Sequence, residues 1–379
     1  MRRFFVPGIC LFFLFASFRL SGETIEPFVM PSARFAGMGG RHAAAGDDFY
    51  SLFTNPAAFV DVQEQFSVAE ISISTYGPVF ELVDLFMGNA GSGSDLDISG
   101  IVGPKGFAAG LDLGGPLSMG WVGRGLGLGL FNRVKTTAAV RGTMIRPLIS
   151  GEFLLVGGYS LRIIDNNGHW FDAGFLGKGF FRGALSLEAS IFNAATVFDN
   201  PMEKPFKTNL GLGLDVGIRY TYRENLTLAL VCYDLYSPVL VTPYDSMSAF
   251  GNKSGPSAGG ASYATVERRL DFGAKYRIRW AFIERYISAI AVMADYRDFL
   301  DFFSLIPRNP ILNVVLGLEV KILNALSFRF GVSEALPAFG MGLNLSFATL
   351  DFAIRGKELG LDPGVQSVYA LDLGLLFRY

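Results

Sequence analysis

"VVLGLEVKILNALSFRFGVSEALPAFGMGLNLSF", residues 314–347, decides the fold class. Val314, Leu316, Leu318, Val320 and Ile322 alternate with small or charged residues, among them Glu319 and Lys321. Beyond a short joint around Asn324, Leu326, Phe328, Phe330 and Val332 alternate with Ser327, Arg329 and Gly331. Phe339, Met341, Leu343, Leu345 and Phe347 then alternate with Gly340, Gly342, Asn344 and Ser346. Successive side chains on a strand point to opposite faces, so each run has one apolar face and one small or polar face. Runs of about ten residues exceed the five or six usual in a soluble β-sandwich and fit strands that cross a bilayer at a tilt. The short joint also sets register: Glu319 and Arg329 are expected to face each other, both inward.

The same alternation recurs on either side. Leu210, Leu212, Leu214, Val216, Ile218 and Tyr220 alternate with Gly211, Gly213, Asp215, Gly217 and Arg219. The last stretch, Tyr369 to Tyr379, puts Tyr, Leu and Phe on one face and Ala370, Asp372, Gly374, Leu376 and Arg378 on the other. Strands are expected near 366–379, 349–355, 337–347, 325–332, 311–322, 284–298, 264–280, 225–237 and 208–222. Joints at Ala348-Thr349, Asn324, 281–283 and Glu224 are short. The alternating joints at 356–365, 299–310, 238–263 and 194–207 are long, with 333–336 the short exception. Bacterial outer-membrane barrels have short periplasmic turns and long outer loops, which leaves Tyr379 at the periplasmic end. The ending Phe377-Arg378-Tyr379 resembles the C-terminal strand of such barrels.

Between 61 and 193 the count is more open. Gln65–Tyr76, Phe107–Leu113, Gly120–Leu130, Phe153–Ile163 and a piece near 170–180 read as strands. Leu82–Gly88 reads as a helix, and 181–195 as strand or helix. Even-numbered closure favours 14 strands, with 12 or 16 as alternatives.

Composition agrees. Half of the 379 residues are hydrophobic, 17% are charged, and Gly (46) and Phe (36) are abundant. Charged residues usually make up about 25% of a soluble chain. Mean hydropathy is +0.36. Beyond the N-terminus no apolar run is long enough to cross a bilayer as a helix. A hydrophobic, Gly- and Phe-rich chain of this kind reads as all-β: a transmembrane antiparallel β-barrel, apolar on one face of each strand.

The N-terminus reads as an export signal. Met1-Arg2-Arg3 is basic, Phe4 to Phe18 is almost wholly apolar, and Ser21-Gly22 are small. That order is a secretory signal peptide over 1–22, followed by an N-terminal segment, 23–60, and the barrel, 61–379. Cys10 lies too early for a lipoprotein signal. If it leaves with the signal, Cys232 is the one thiol left, and neither an intramolecular disulfide nor a thiolate metal site can form.

Residues 23–60 do not alternate. Gly37, Gly39 and Gly40 permit backbone shapes closed to other residues. Asp47 is a good N-cap, Asp48 adds negative charge at a helix start, and Phe49, Leu52 and Phe53 share one face. Asn55 precedes Pro56, which pushes it out of the helical region and stops the helix before Ala57. A 14-stranded barrel has a lumen that wall side chains alone do not fill, and this compact segment is a natural plug for it.

The pattern Ala33-Arg34-x-x-Gly37-Met38-Gly39-Gly40, then Asp47-Asp48, then Asn55-Pro56-Ala57, resembles the N-terminal hatch of the long-chain fatty-acid transporter family of the outer membrane. It is also similar to the opening of related barrels, such as an accessory shuttle of the type IX secretion system. The first resemblance implies a 14-stranded barrel closed by its N-terminal segment, with Gly37, Gly39, Gly40, Asp47, Asp48, Asn55, Pro56 and Ala57 forming the plug and gate. Ala58 departs from the family, where a Gly is common.

Catalytic or metal chemistry finds little support. His42 and His169 are isolated, without the Cys or carboxylate cluster a metal needs. His169, beside Trp170, reads as a surface residue. No nucleophile elbow is present. Gly125-Leu-Gly127-Leu-Gly129 lies in an alternating strand with no helix after it, so it reads as a glycine ladder on the lumen face, not a nucleotide loop. Neither an enzyme nor a cofactor is expected. Inward positions read as largely Gly, Ala and Ser with scattered charge, which suits an apolar solute or, equally, a plug packed closely on the wall. The favoured expectation is an outer-membrane channel for hydrophobic or amphipathic solutes, fatty acids first. The alternative is a structural or secretion-accessory barrel that moves no small molecule. Expected partners are outer-membrane lipid, the hydrophobic solute and the barrel-assembly machinery. A net charge of -2 argues against nucleic acid. The barrel is expected to be monomeric and to sit in the bacterial outer membrane.

Overall fold

A computed structural model describes residues 23–46, 48–78, 106–141, 143–190, 200–257, 259–278 and 287–378. The signal at 1–22, the helix at Leu82–Gly88, the joint at 281–283 and Asp47 lie outside the described residues.

The strands are β1 (Glu23–Ile25), β2 (Gln65–Tyr76), β3 (Phe107–Gly114), β4 (Met119–Gly123), β5 (Leu126–Arg141), β6 (Met144–Asn166), β7 (His169–Ser186), β8 (Ala189–Ser190) and β9 (Phe206–Tyr222). They continue as β10 (Leu226–Tyr236), β11 (Pro238–Tyr244), β12 (Ser262–Val266), β13 (Arg269–Ile278), β14 (Ile287–Tyr296), β15 (Val314–Ile322), β16 (Leu326–Ser333), β17 (Leu336–Asn344), β18 (Ala348–Glu358) and β19 (Ser367–Arg378). Several are pieces of one wall strand. β3 and β4 both run between β2 and β5. β8 follows β7 along β6. β10 and β11 both pair with β9, and β13 and β12 pair with them in turn. Merged in this way the wall has 14 antiparallel strands. β19 pairs with β2, Leu373 opposite Ile73, so the sheet closes on itself. Closure excludes a sandwich and leaves no open edge in the wall. No described helix is long and apolar enough to cross a membrane.

Alternation places the residues as their spacing requires. Leu210, Leu212, Phe330, Phe339 and Met341 are exposed on the outside. Glu319, Arg329, Asp351 and Asp372, one residue out of phase with such positions, are buried inside. Glu319 stands opposite Arg329, as the joint at Asn324 requires. That joint is a three-residue turn, Leu323–Ala325, with Leu323 and Asn324 both at positive φ, while the two-residue turn Glu334-Ala335 at the other end of β16 also has both φ positive.

Two expectations need correction. Gly120–Leu130 is not one strand. β4 ends at Gly123, Arg124 and Gly125 turn with φ of 51° and 80°, and β5 starts at Leu126. Paired positive φ makes a tight hairpin, and Gly125 adopts it freely; the turn moves the inward positions from Gly120 and Val122 to Gly127 and Gly129. The joint at 238–263 is also not all loop, since β11 and β12 extend the wall into it. β10 reaches β11 through a register shift between Cys232 and Tyr236. Cys232 itself is buried in the wall.

Candidate functional site: the filled lumen

The N-terminal segment lies inside the wall. β1 pairs in parallel with β12, Ile25 opposite Val266. Ser32 then caps a short helix, α1 (Ala33–Gly37), by accepting from Phe35 N. α1 packs on β17 and β18. The contact is backbone to backbone: a Cβ at Gly37 would stand 2.7 Å from Gly340 Cα. Gly39 and Gly40 follow with φ of +81° and +136°, conformations that side chains rarely take. There the chain bends under β14, and Arg297 Nη2 donates to Gly39 O at 3.0 Å.

Charge fixes this half of the segment. Arg34 of α1 donates to both Glu319 oxygens, at 3.3 and 3.2 Å, and pairs with Asp48. Glu319 also accepts from Arg329 Nε at 2.9 Å, and Arg329 reaches Asp351 at 2.5 Å. His42 is fully buried: Nδ1 meets Asp295 Oδ2, Nε2 lies 3.0 Å from Met38 O, and Ala43 N donates to Asp295 Oδ1 at 2.7 Å. The isolated histidine of the sequence is thus a link between segment and wall. His169, by contrast, is exposed at the start of β7 and bonded to Tyr220 Oη at 2.7 Å.

Two single 3-10 turns complete the segment. Asp48, not Asp47, caps Phe49–Phe53, accepting from Tyr50 N at 3.1 Å. Phe53 and Phe49 pack on Phe131 of β5, at centroid distances of 4.7 and 6.0 Å. Asn55-Pro56 does more than stop this turn. Asn55 caps a second one, Pro56–Val60, with Pro56 at its first position, where a missing N–H costs nothing. Asn55 Oδ1 accepts from Ala57 N at 3.0 Å while Nδ2 donates to Ile218 O of β9 at 3.3 Å. Pro56 and Ala57 press on Gly174, where a Cβ would stand 2.6 Å from Pro56 O. A Cβ at Gly217 would overlap Asn55 Oδ1. Ala58, the departure from the family pattern, fits because it faces Gly46.

These contacts separate the two readings of the inward glycines. A Cβ at Gly127 would lie 2.9 Å from both Leu52 and Phe59. Gly127, Gly174, Gly217 and Gly340 serve close packing of the segment on the wall; of the expected glycine ladder only Gly127 does so, since Gly129 meets Phe131 and Val156 of the wall and Gly125 lies in the hairpin turn. Inward charge is denser than "scattered": Lys178 pairs with Asp215 at 2.7 Å and Asp234 at 2.5 Å, Arg182 with Glu152 at 2.7 Å, and Arg133 with Asp112 at 2.5 Å. The signal for it was the phase of the alternation, since each charge occupies a small-residue position.

A pocket lies between segment and wall. Phe28, Leu52, Phe53, Leu154, Val156 and Leu176 make its apolar side, with Arg41, Lys178, Tyr233, Asp234, Glu267 and Arg269 around them. Lys178 is taken up by its two aspartates, and Arg269 Nε lies 3.0 Å from Asp271. Arg41 donates to Phe53 O at 3.1 Å and stands 5.0 Å from the Tyr233 ring centre. Among the described residues it has no carboxylate within ion-pair distance, Glu267 of the same pocket included. Sequence reading passed over Arg41 because only the fold brings it to the pocket. The described residues hold no cluster of His, Cys, Asp and Glu able to bind a metal.

No protein-family model and no curated protein matches the chain. Solved structures similar to it include the toluene transporter TbuX of Ralstonia pickettii, at 12% identity and TM-score 0.47 over 92% of this chain and 97% of that one. The CymD monoaromatic hydrocarbon channel gives 12% and 0.46 over 93% and 98%. A FadL homologue of Pseudomonas aeruginosa gives 10% and 0.45 over 94% and 99%. At these values no function passes across, and the fold rests on the strand pairing above.

Proposed function

We propose that the protein is a bacterial outer-membrane channel for hydrophobic or amphipathic solutes, with the N-terminal segment as its plug and gate. Arg41 carries this reading. A guanidinium partly withdrawn from water favours an anionic partner, and it faces an apolar wall. A molecule with an anionic head and an apolar tail satisfies both sides of the pocket: the head on Arg41, the tail along Phe28, Phe53, Leu154 and Leu176. Fatty acids are the simplest such class, and they are the solutes the N-terminal resemblance implies. The solved structures similar to this chain include channels for neutral monoaromatic hydrocarbons, which would use the apolar side alone. Passage requires the segment to shift, because Met38, His42, Asn55 and Phe59 are packed without exposure.

The test is uptake into proteoliposomes of a fluorescent fatty acid beside a neutral aromatic probe of similar size. Arg41→Gln is expected to lower fatty-acid uptake and spare the neutral probe. Deletion of 33–57 is expected to give a folded, heat-modifiable barrel with altered uptake and conductance. A deletion that assembles and behaves as wild type in both assays would put the structural or secretion-accessory reading first.

A further inference from the structure

At the end of the barrel opposite the C-terminus, one loop turns away from the lumen. β14 ends at Tyr296, a 3-10 turn occupies Phe299–Phe303, and the chain returns at Val314. Tyr296 is paired with Phe272 of β13 and Val314 of β15. The preceding residues of the same strands, Asp271 and Asp295, are buried toward the lumen, so Phe272 and Tyr296 face outward. The loop lies on these two rings. Phe302 stacks on Tyr296 with centroids 5.5 Å apart and planes 8° from parallel. Phe299 meets Phe272 edge-on at 5.4 Å. The turn is thus laid against the lipid-facing side of the wall.

Its free surface is apolar. Phe302 and Phe303 are 48% and 57% exposed, Ile306 is 71% and Leu305 is 96% exposed. Its polar groups are occupied elsewhere. Asp301 accepts from Ser304 Oγ at 3.1 Å, Arg308 N at 2.9 Å and Asn313 Nδ2 at 3.3 Å. The Arg308 guanidinium donates to Glu334 at 3.3 Å and to the carbonyls of Glu358 and Gly360 at 3.0 and 3.2 Å. The side chains that would solvate the tip are spent on the neighbouring rim.

We propose that Phe302, Phe303, Leu305 and Ile306 lie in the acyl-chain layer of the outer leaflet and anchor the barrel rim in lipid. Continuity selects this occupant: the loop rings extend the outward aromatic pair Phe272 and Tyr296, which already faces lipid. Aromatic residues at a membrane interface belong to such a girdle.

Single tryptophans at Leu305 (Leu305→Trp) and, separately, Ile306 (Ile306→Trp) test the placement. Each protein is refolded, checked for heat modifiability, and reconstituted in phosphatidylcholine vesicles brominated either near the glycerol end or near the chain terminus. The parent spectrum is subtracted. Blue-shifted added emission that is largely lost in vesicles brominated near the glycerol end, with weaker loss in the other set, is expected. Water-like emission quenched by iodide and untouched by bromine overturns the proposal. So does blue-shifted emission that bromine leaves intact and that fades as protein is diluted into lipid, since a second copy then covers the tip.

Discussion

Glu319 of β15 and Arg329 of β16 stand opposite each other inside the wall, joined at 2.9 Å, and the same carboxylate holds Arg34 of the N-terminal segment. One carboxylate therefore serves two roles: a rung between adjacent strands and the anchor of α1. A cross-strand pair in water is worth up to about 1 kcal/mol. Here all three groups are withdrawn from solvent, and losing the shared carboxylate takes a partner from both arginines at a cost of about 3–5 kcal/mol, whereas losing Arg34 leaves Glu319 paired with Arg329. Glu319→Gln is expected to lower the temperature at which the barrel loses its compact gel mobility. Arg34→Gln is expected to spare that transition while loosening the segment, read as higher conductance in planar bilayers.

The wall was legible because its signal is local. A period of two over ten residues marks a strand without knowledge of its partner, and the three-residue joint centred on Asn324 then fixed the Glu319–Arg329 register. Where the pattern failed, it failed at Arg124-Gly125, where a two-residue turn switches the inward positions from Gly120 and Val122 to Gly127 and Gly129, and the glycines on both sides masked that change of phase. The segment inside the barrel was legible as a non-alternating, glycine-rich run, but not in its details. Which aspartate caps depends on one backbone turn, and Asp48 serves where Asp47 was the expectation. The decisive partners of His42 and Arg41 come from far along the chain, Asp295 for the one and Tyr233 for the other. Nothing within a few positions of either residue announces these two long-range contacts.

The inward glycines make a steric prediction. Gly217→Ala would drive a methyl group into Asn55, held on both sides by hydrogen bonds. The wall strand β9 need not move, so the segment must. The expected result is a normally assembled barrel with raised conductance. Gly151→Ala is the control, since its Cβ meets nothing within 4 Å. Equal behaviour of the two variants would show that the segment is not held by contact at β9.

The rim loop after β18 gives a pH prediction. Burial alone would raise the Glu358 carboxyl, but bonds from Ser367 Oγ and from the N–H groups of Gln366, Gly360 and Gly364 outweigh it and hold the acid below its ordinary range. A depressed acid stabilises the folded loop in full above its unfolded pKa, about 4.3, and that contribution fades as pH falls through the lower folded value. Proteolysis within 359–366 is expected to stay slow from neutrality down to about pH 4 and to quicken below it. An acid-stable protease is needed for the lower range. Glu358→Gln is expected to be cleaved readily at every pH.

The last prediction separates Asn55 from Pro56. Proline at the first position of the Pro56–Val60 turn only presets a backbone angle, so Pro56→Ala is expected to cost less than about 1 kcal/mol, largely through the unfolded chain. Asn55 does two jobs. Its side chain caps that turn, worth about 1 kcal/mol, and it ties the segment to Ile218 of β9. Its removal also leaves the Ala57 N–H and the Ile218 carbonyl short of a partner in a packed site. Asn55→Ala is therefore expected to raise conductance and fatty-acid uptake clearly, with Pro56→Ala close to wild type, and heat modifiability unchanged in both. The opposite order would mean that the stiffness of the proline, and not the asparagine clasp, keeps the segment in place.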